Sequence, residues 1–223
     1  MKDKLILPDK KTIQFSRSNE IVELRAVEPT EDEGYIIEGY AIVYEQRVKI
    51  GGDWFHEVVK RGALDGADLT DVPLFIHHNR NKIPLARSRR NNGSSTMTLT
   101  PDDKGLHFRA ELDAENNAEA KSLYSAIKRG DVSGMSYAFT IKEEKWLELD
   151  KKMPTREIYK LGKIGEISAL WSPAYPGTNI QARGDGELDN SDKMALDSAR
   201  STLDSEKNEL ELYKLRAKIK GAM

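Results

Sequence analysis

Met135-Ser136-Tyr137-Ala138-Phe139-Thr140-Ile141 alternates large apolar residues with small or hydroxylated ones at a period of two. Successive side chains of a strand point to opposite faces. Met135, Tyr137 and Phe139 therefore line one face, and Ser136, Ala138 and Thr140 the other. The first set suits a core, and the second leaves room for a peptide backbone to come close. A second apolar strand, Ile164-Gly165-Glu166-Ile167-Ser168-Ala169-Leu170, is interrupted by a carboxylate. Glu166 must point outward, or be paired if it is buried. A third, Val72-Pro73-Leu74-Phe75-Ile76-His77-His78, ends in two histidines, with Pro73 near its start where a missing N–H is tolerated.

Outward from these strands the chain stays strand-rich. Ile21–Val27 and Tyr35–Tyr44 flank a turn cluster at Glu28–Gly34, and Met97–Thr100 and Leu106–Leu112 flank Pro101–Gly105. Apolar, β-branched and aromatic runs bounded by such turn residues signal hairpins. Glu157–Leu161 reads as a further strand. Beyond a turn at Gly51-Gly52-Asp53, Glu57–Leu64 reads as a short helix, with Gly62 against it. The clearest helix spans Asn117–Arg129: Ala120, Leu123, Tyr124 and Ile127 form its apolar stripe, Lys128 and Arg129 fill its last turn, and Gly130 ends it.

Four regions follow. Residues 1–19 are polar and lysine-rich and read as a flexible arm. Residues 20–182 form the body, punctuated at its end by Pro173 and Pro176. Residues 183–205 carry almost no apolar side chains and read as a polar linker. Residues 206–223 read as a short amphipathic helix, with Leu212, Leu215 and Ile219 at helical spacing. The expected fold class is α+β, a mixed, barrel-like β-domain with a few helices.

Composition narrows the function by exclusion. At 223 residues the chain suits one ordinary domain with extra segments. Its formal net charge of −2, without a basic–aromatic surface motif, supplies no reason to expect nucleic acid or an anionic membrane. No apolar run reaches the roughly 18 residues of a membrane span, and the opening Met1–Pro8 is too polar for a secretory signal. Without cysteine there is no disulfide, thiolate metal site or cysteine nucleophile. Four scattered histidines leave a metal site open but give it no support, and no metal or cofactor is expected.

Ser136, His77-His78 and Glu166 are the residues that stand out. A serine among small neighbours can serve as a nucleophile, a histidine as its base, and a buried acid can orient the ring and stabilise its charged form. Each also has an ordinary explanation: a satisfied strand-end histidine, a serine on a small-residue face, a glutamate on a sheet edge. Spacing alone suggests the constellation without establishing it.

The order of the segments resembles the tailed-bacteriophage prohead protease family. Glu38-Gly39-Tyr40-Ala41-Ile42-Val43-Tyr44 is similar to its opening strand, and Arg61-Gly62-Ala63-Leu64 to its Gly-Ala-Phe segment. Ile76-His77-His78-Asn79 with Pro84-Leu85-Ala86-Arg87 resembles its Asn-His-Asp and Pro-Leu-Gly-Arg pair. Gly134–Phe139 resembles its Met-Ser-Phe-Gly-Phe strand, and Glu166-Ile167-Ser168 with Pro173-Ala174-Tyr175 its Glu-Val-Ser and Pro-Ala-Tyr ending. Asn79, Ala86 and Ala138 depart from the pattern, and none of them removes a proposed catalytic group.

The family is related to herpesvirus assemblins, so the resemblance implies a herpesvirus-protease-like mixed β-barrel and a serine endopeptidase. It implies Ser136 as nucleophile, His78 as base and Glu166 as orienting acid, with Ser133 and His77 as second choices. Expected substrates are scaffold or delta-domain segments of the major capsid protein and the enzyme's own ends, inside the procapsid in the host cytoplasm. Other copies of the chain are a further expected partner; nucleic acid and membrane are not. The alternative is a non-catalytic capsid assembly or scaffold protein that keeps the fold.

Overall fold

The computed structural model describes residues 5–6, 14–18, 23–31, 33–50, 53–171 and 190–221. In chain order these form β1 (Leu5–Ile6), β2 (Gln14–Ser18), β3 (Arg25–Val27), β4 (Tyr35–Val43), β5 (Arg47–Ile50), β6 (Phe55–Val59), β7 (Pro73–Ile76) and β8 (Ala86–Arg87). They continue with β9 (Met97–Pro101), β10 (Gly105–Leu112), helix α1 (Ala118–Arg129), β11 (Gly134–Leu147), β12 (Thr155–Leu170) and helix α2 (Asn190–Gly221). The sequence-derived Pro173-Ala174-Tyr175 segment and Pro176 lie outside the described residues.

The alternation at Met135–Ile141 is one end of a much longer pairing. β11 and β12 run antiparallel, with Gly134 opposite Leu170 at one end and Leu147 opposite Thr155 at the other. They anchor an eight-stranded mixed sheet in the order β1-β11-β12-β6-β5, with β2 also on β11, β7 on β12 and β8 on β7. A four-stranded antiparallel sheet, β3-β4-β10-β9, supplies the second layer. The apolar sides of both sheets meet α1 in one core that includes Ile37, Ile42, Phe108, Leu123, Ile127, Met135, Tyr137 and Ile167. Met135, Tyr137 and Phe139 all lie on this core face, as the period of two requires.

Helix α1 ends where its caps dictate. The Asn117 side chain accepts hydrogen bonds from the Glu119 and Ala120 N–H groups, and Gly130 takes the left-handed conformation at φ 80°. Ala120, Leu123, Tyr124 and Ile127 are all buried.

Tertiary pairing overrides local preference in several places. Glu57–Leu64 is not a helix: Phe55–Val59 is β6, held between β5 and a parallel stretch of β12, and the chain then turns. Its β-branched Val58 and Val59 and buried Phe55 suit a covered strand better than a solvated helix. Arg47–Ile50, unmarked in sequence, becomes β5 by pairing with β6. The break expected between Leu161 and Ile164 is absent, because β12 continues through Gly162. A Cβ at Gly162 would lie 2.4 Å from the Thr140 hydroxyl, so glycine permits the close approach of β11 there. Residues 5–6 and 14–18 of the expected flexible arm are strands on β11.

The largest correction concerns the C-terminal region. Helix α2 begins at Asn190, inside the stretch read as a polar linker to residue 205. Its apolar stripe is too narrow to stand out, but Leu196 and Ala199 are buried against Phe55 and Trp146. Asp192, in the first turn where a negative charge suits the helix dipole, accepts a 2.9 Å hydrogen bond from Arg156 Nη1. Arg156 is fully buried. Its Nε donates to Glu144 at 2.6 Å, its Nη1 also reaches Glu57 at 3.4 Å, and its guanidinium lies over the Trp146 ring. Leu212 and Leu215, from the expected amphipathic stripe, are exposed, and the Ile219 side chain lies outside the described set.

A buried cation shared by three carboxylates holds α2 to the sheet, and removing it strands the carboxylates in a low-dielectric interior. Arg156→Met is expected to destabilise the protein by about 3–5 kcal/mol. Asp192→Asn, which removes the charge of only one of the three carboxylates, is expected to cost less. Urea unfolding monitored by Trp146 fluorescence measures both.

Candidate active site

Strand register assembles the site. Ser136 lies directly opposite Ser168, and Ala138 directly opposite Glu166. Residues facing each other across an antiparallel pair share a sheet face, so Ser136, Ser168 and Glu166 rise from one face, away from the apolar core. On the other side of β12, β7 runs parallel and places Phe75 beside Ser168 and Ile76 beside Ala169. The chain leaving β7 therefore emerges at the Ala169 end of β12, three residues beyond the carboxylate.

It turns sharply there. His77 and His78 both adopt left-handed backbone conformations, at φ 50° and 57°. A non-glycine residue in this region costs of order 1–3 kcal/mol, and two in succession must be held by their surroundings. Three backbone hydrogen bonds do so: His77 N–H to Ala169 O at 3.1 Å, Asn79 N–H to Ile76 O at 3.1 Å and Arg80 N–H to His78 O at 2.9 Å. The His78 N–H also donates to the buried Ser168 hydroxyl at 3.2 Å. The turn folds the His78 ring back over β12 toward β11.

The result is a continuous relay. His78 Nε2 lies 2.7 Å from Ser136 Oγ, and His78 Nδ1 is hydrogen-bonded to Glu166 Oε1. Ser136 and Glu166 are fully buried, and the His78 side chain is only 9% exposed. With Nδ1–H donated to the carboxylate, Nε2 is left as the acceptor facing the serine hydroxyl. Such an arrangement can take a proton from the serine oxygen and hold the resulting imidazolium against a negative charge.

Glu166 has a second partner that sequence reasoning missed. Arg80 Nε donates to Glu166 Oε2, so each carboxylate oxygen is held by a different side chain. Burial, the largest single influence, pushes the Glu166 pKa upward. Hydrogen bonds from His78 and Arg80, together with their charges, outweigh it and hold the carboxyl below the ordinary value of 4.5. In sequence Arg80 sits in Asn79-Arg80-Asn81-Lys82, a polar run with no pattern of its own. Only the need of a buried carboxylate for a cation could have directed attention to it.

The second choices are placed elsewhere. Ser133 is exposed ahead of β11, and the serine hydrogen-bonded to the His78 ring is Ser136. The His77 ring packs on Trp171 at 4.0 Å between centroids. A cleft of about 510 Å³ opens behind the carboxylate, where Arg80, Lys163, Phe75 and Glu166 line it and Ser136 does not. Among the described residues no group of three or more His, Asp or Glu side chains could hold a metal ion.

Comparison with known proteins supplies the frame for this geometry. No curated protein sequence matches the chain. Among solved structures, that of the bacteriophage T4 capsid assembly protease gp21 is similar with a TM-score of 0.41 and 14% identity, covering 72% of this chain and 98% of that one. A family profile described as caudovirus prohead serine protease matches residues 20–193, a stretch that contains β3 through β12 and the whole serine–histidine–glutamate relay. By that match the chain belongs to the prohead serine proteases of the tailed phages.

Proposed function

We propose that this chain is the endopeptidase that matures the procapsid, using Ser136 as nucleophile, His78 as general base and acid, and Glu166 as orienting acid. The observation that carries the proposal is the unbroken relay from Ser136 Oγ through both nitrogens of His78 to a buried carboxylate. Three residues remote in sequence converge on it, and one of them, His78, sits in a strained turn that local backbone preference would not favour.

In the first step Ser136 Oγ bonds to the scissile carbonyl carbon while its proton passes to His78 Nε2. Glu166, already accepting from Nδ1, stabilises the imidazolium without taking its proton. The tetrahedral intermediate collapses with transfer of the Nε2 proton to the leaving amine, and the C–N bond breaks. Water then bonds to the acyl carbon while giving a proton to His78 Nε2. The C–Oγ bond breaks as that proton returns to Ser136, regenerating the free enzyme and a carboxylic acid product. The substrates are scaffold or delta-domain segments of the capsid protein and the enzyme's own ends, cleaved inside the procapsid.

Arg80 acts at one remove from the reaction. Its guanidinium keeps Glu166 ionised and fixes the carboxylate that in turn fixes the ring.

Two predictions follow from this division of labour. Ser136→Ala and His78→Ala are expected to abolish processing of coexpressed capsid protein, a loss on the order of 10⁶-fold, whereas Glu166→Gln slows it by roughly 10⁴-fold and leaves it detectable. Pairing Glu166→Gln with His78→Ala adds no further loss, because the acid acts only through the base; Ser133→Ala processes normally. Mass spectrometry of the capsid protein over time reads these outcomes. Normal processing by Ser136→Ala with none by Ser133→Ala would move the nucleophile to Ser133, and normal processing by both would overturn the serine-protease reading in favour of a non-catalytic assembly protein.

The second concerns pH. Because the Glu166 pKa is depressed on folding, the stability it contributes is present above the ordinary value of 4.5 and is lost as pH falls through the lowered one. Arg80→Gln removes a cause of the depression and leaves the burial that opposes it. The acid limb of kcat/KM is therefore expected to move to higher pH, and the acid edge of stability with it. A rate loss that is uniform across pH would make Arg80 a structural residue only.

A further inference from the structure

A nucleophile that attacks a peptide must be reachable, and Ser136 is not: it is fully buried and the ring beside it is nearly so. On one side β11 is covered by β12, which is paired along its whole length. On the other side β11 carries β2, only five residues long, in antiparallel register with Ser18 opposite Met135, Arg17 opposite Ser136 and Gln14 opposite Phe139. Farther along the same edge Leu5 and Ile6 pair with Lys145 and Glu144 in the same sense. Residues 5–6 and 14–18 thus both lie on the outer edge of β11, the second of them beside the nucleophile. These residues lie ahead of the family-matched region, which begins at residue 20, and among the described residues β2 pairs with β11 alone.

A sheet edge presents a row of N–H and C=O groups that an extended chain can complete, with the main chain supplying affinity and alternate side chains specificity. The edge of β11 at Met135–Phe139 is such a row, set beside the Ser136 hydroxyl and already accepting one extended segment. We infer that this edge is where an extended peptide substrate adds as a strand, and that residues 14–18 occupy the place in cis until a substrate displaces them. The inference rests on Ser136 being the nucleophile and goes beyond it by naming the surface that receives the peptide. An intramolecular occupant competes at high effective concentration, so the protein is slow until a peptide tethered nearby, or present at high local density, outcompetes residues 14–18.

The test uses the full chain. Successive N–H groups along a strand point to opposite sides, so Ser16→Pro with Arg17→Pro removes whichever of the two faces β11. Unfolded β-casein and a fluorophosphonate serve as probes, one needing the strand site and the other only the hydroxyl. Since apparent rates scale with the fraction of open chains, hydrolysis and Ser136 labelling are both expected to rise about tenfold or more in the double-proline chain. A synthetic peptide of residues 10–22 should then suppress casein hydrolysis again.

Equal rates in the two chains, with Ser136→Ala inactive, overturn the strand-site inference and leave the protease reading standing. Absence of Ser136 labelling in both chains overturns the protease reading and this inference with it. Hydrogen exchange on the unmodified chain guards against a misfolded variant. Within 135–139, amides that face β2 should exchange far faster than those that face β12, through local opening of residues 14–18. Equal protection on both sides would show that residues 14–18 are a fixed part of the sheet and would also overturn the inference.

Discussion

The pairing of β11 with β12 is the constraint on which the rest of the molecule depends. A strand pair has a side-chain period of two, so a slip of one residue would turn Ser136 and Glu166 into the core and expel Tyr137 and Ile167. The core residues of one face therefore specify the position of the polar residues on the other. Burial of Met135, Tyr137, Ile167 and Ala169 against the second sheet locks the register. That register puts the Ser136 and Glu166 columns side by side at the spacing one imidazole can bridge. The apolar face supplies the energy, and the opposite face carries the Ser136 and Glu166 side chains that His78 bridges.

Two buried ionic groups show what that frame has to hold. Glu166 is a carboxylate held by two donors, His78 and Arg80. Arg156 is a cation held by three acids, one of them from α2. Buried ion pairs add little stability compared with an apolar replacement, but they are expensive to leave half-formed. Each therefore enforces a geometry. The Arg156 cluster ties α2 to β6, β11 and β12 far from the relay, while the Glu166 pair fixes which nitrogen of His78 faces the serine.

The strain at His77 and His78 belongs to the same logic. A histidine that simply continued β7 would alternate along the strand and point past the serine. Two left-handed residues bend the chain enough to bring the ring back across β12, and the surrounding hydrogen bonds to Ala169 and Ser168 hold the bend. Site geometry here is held against local backbone preference, and β12 provides the hold.

Much of the site could be read from sequence because it obeys short-range rules. The alternation around Ser136 and the intrusion of Glu166 into an apolar run are period-two signals, and α1 announces itself through Asn117, its apolar stripe and Gly130. His78 was marked by its place at a strand end and by its resemblance to a family motif. What could not be read depends on partners distant in sequence. β5 and β6 are strands because they pair with each other and with β12; α2 reaches back to Asn190 because Arg156 and Phe55 receive it. Arg80 matters because a carboxylate 86 residues away is buried beside it. Residues 14–18, polar and without periodicity, become a strand because the edge of β11 offers them hydrogen bonds. Sequence by itself determined which faces are apolar and which residues could do chemistry. Only tertiary structure decided which of them meet, since burial and pairing are properties of the assembled sheet and not of any one segment.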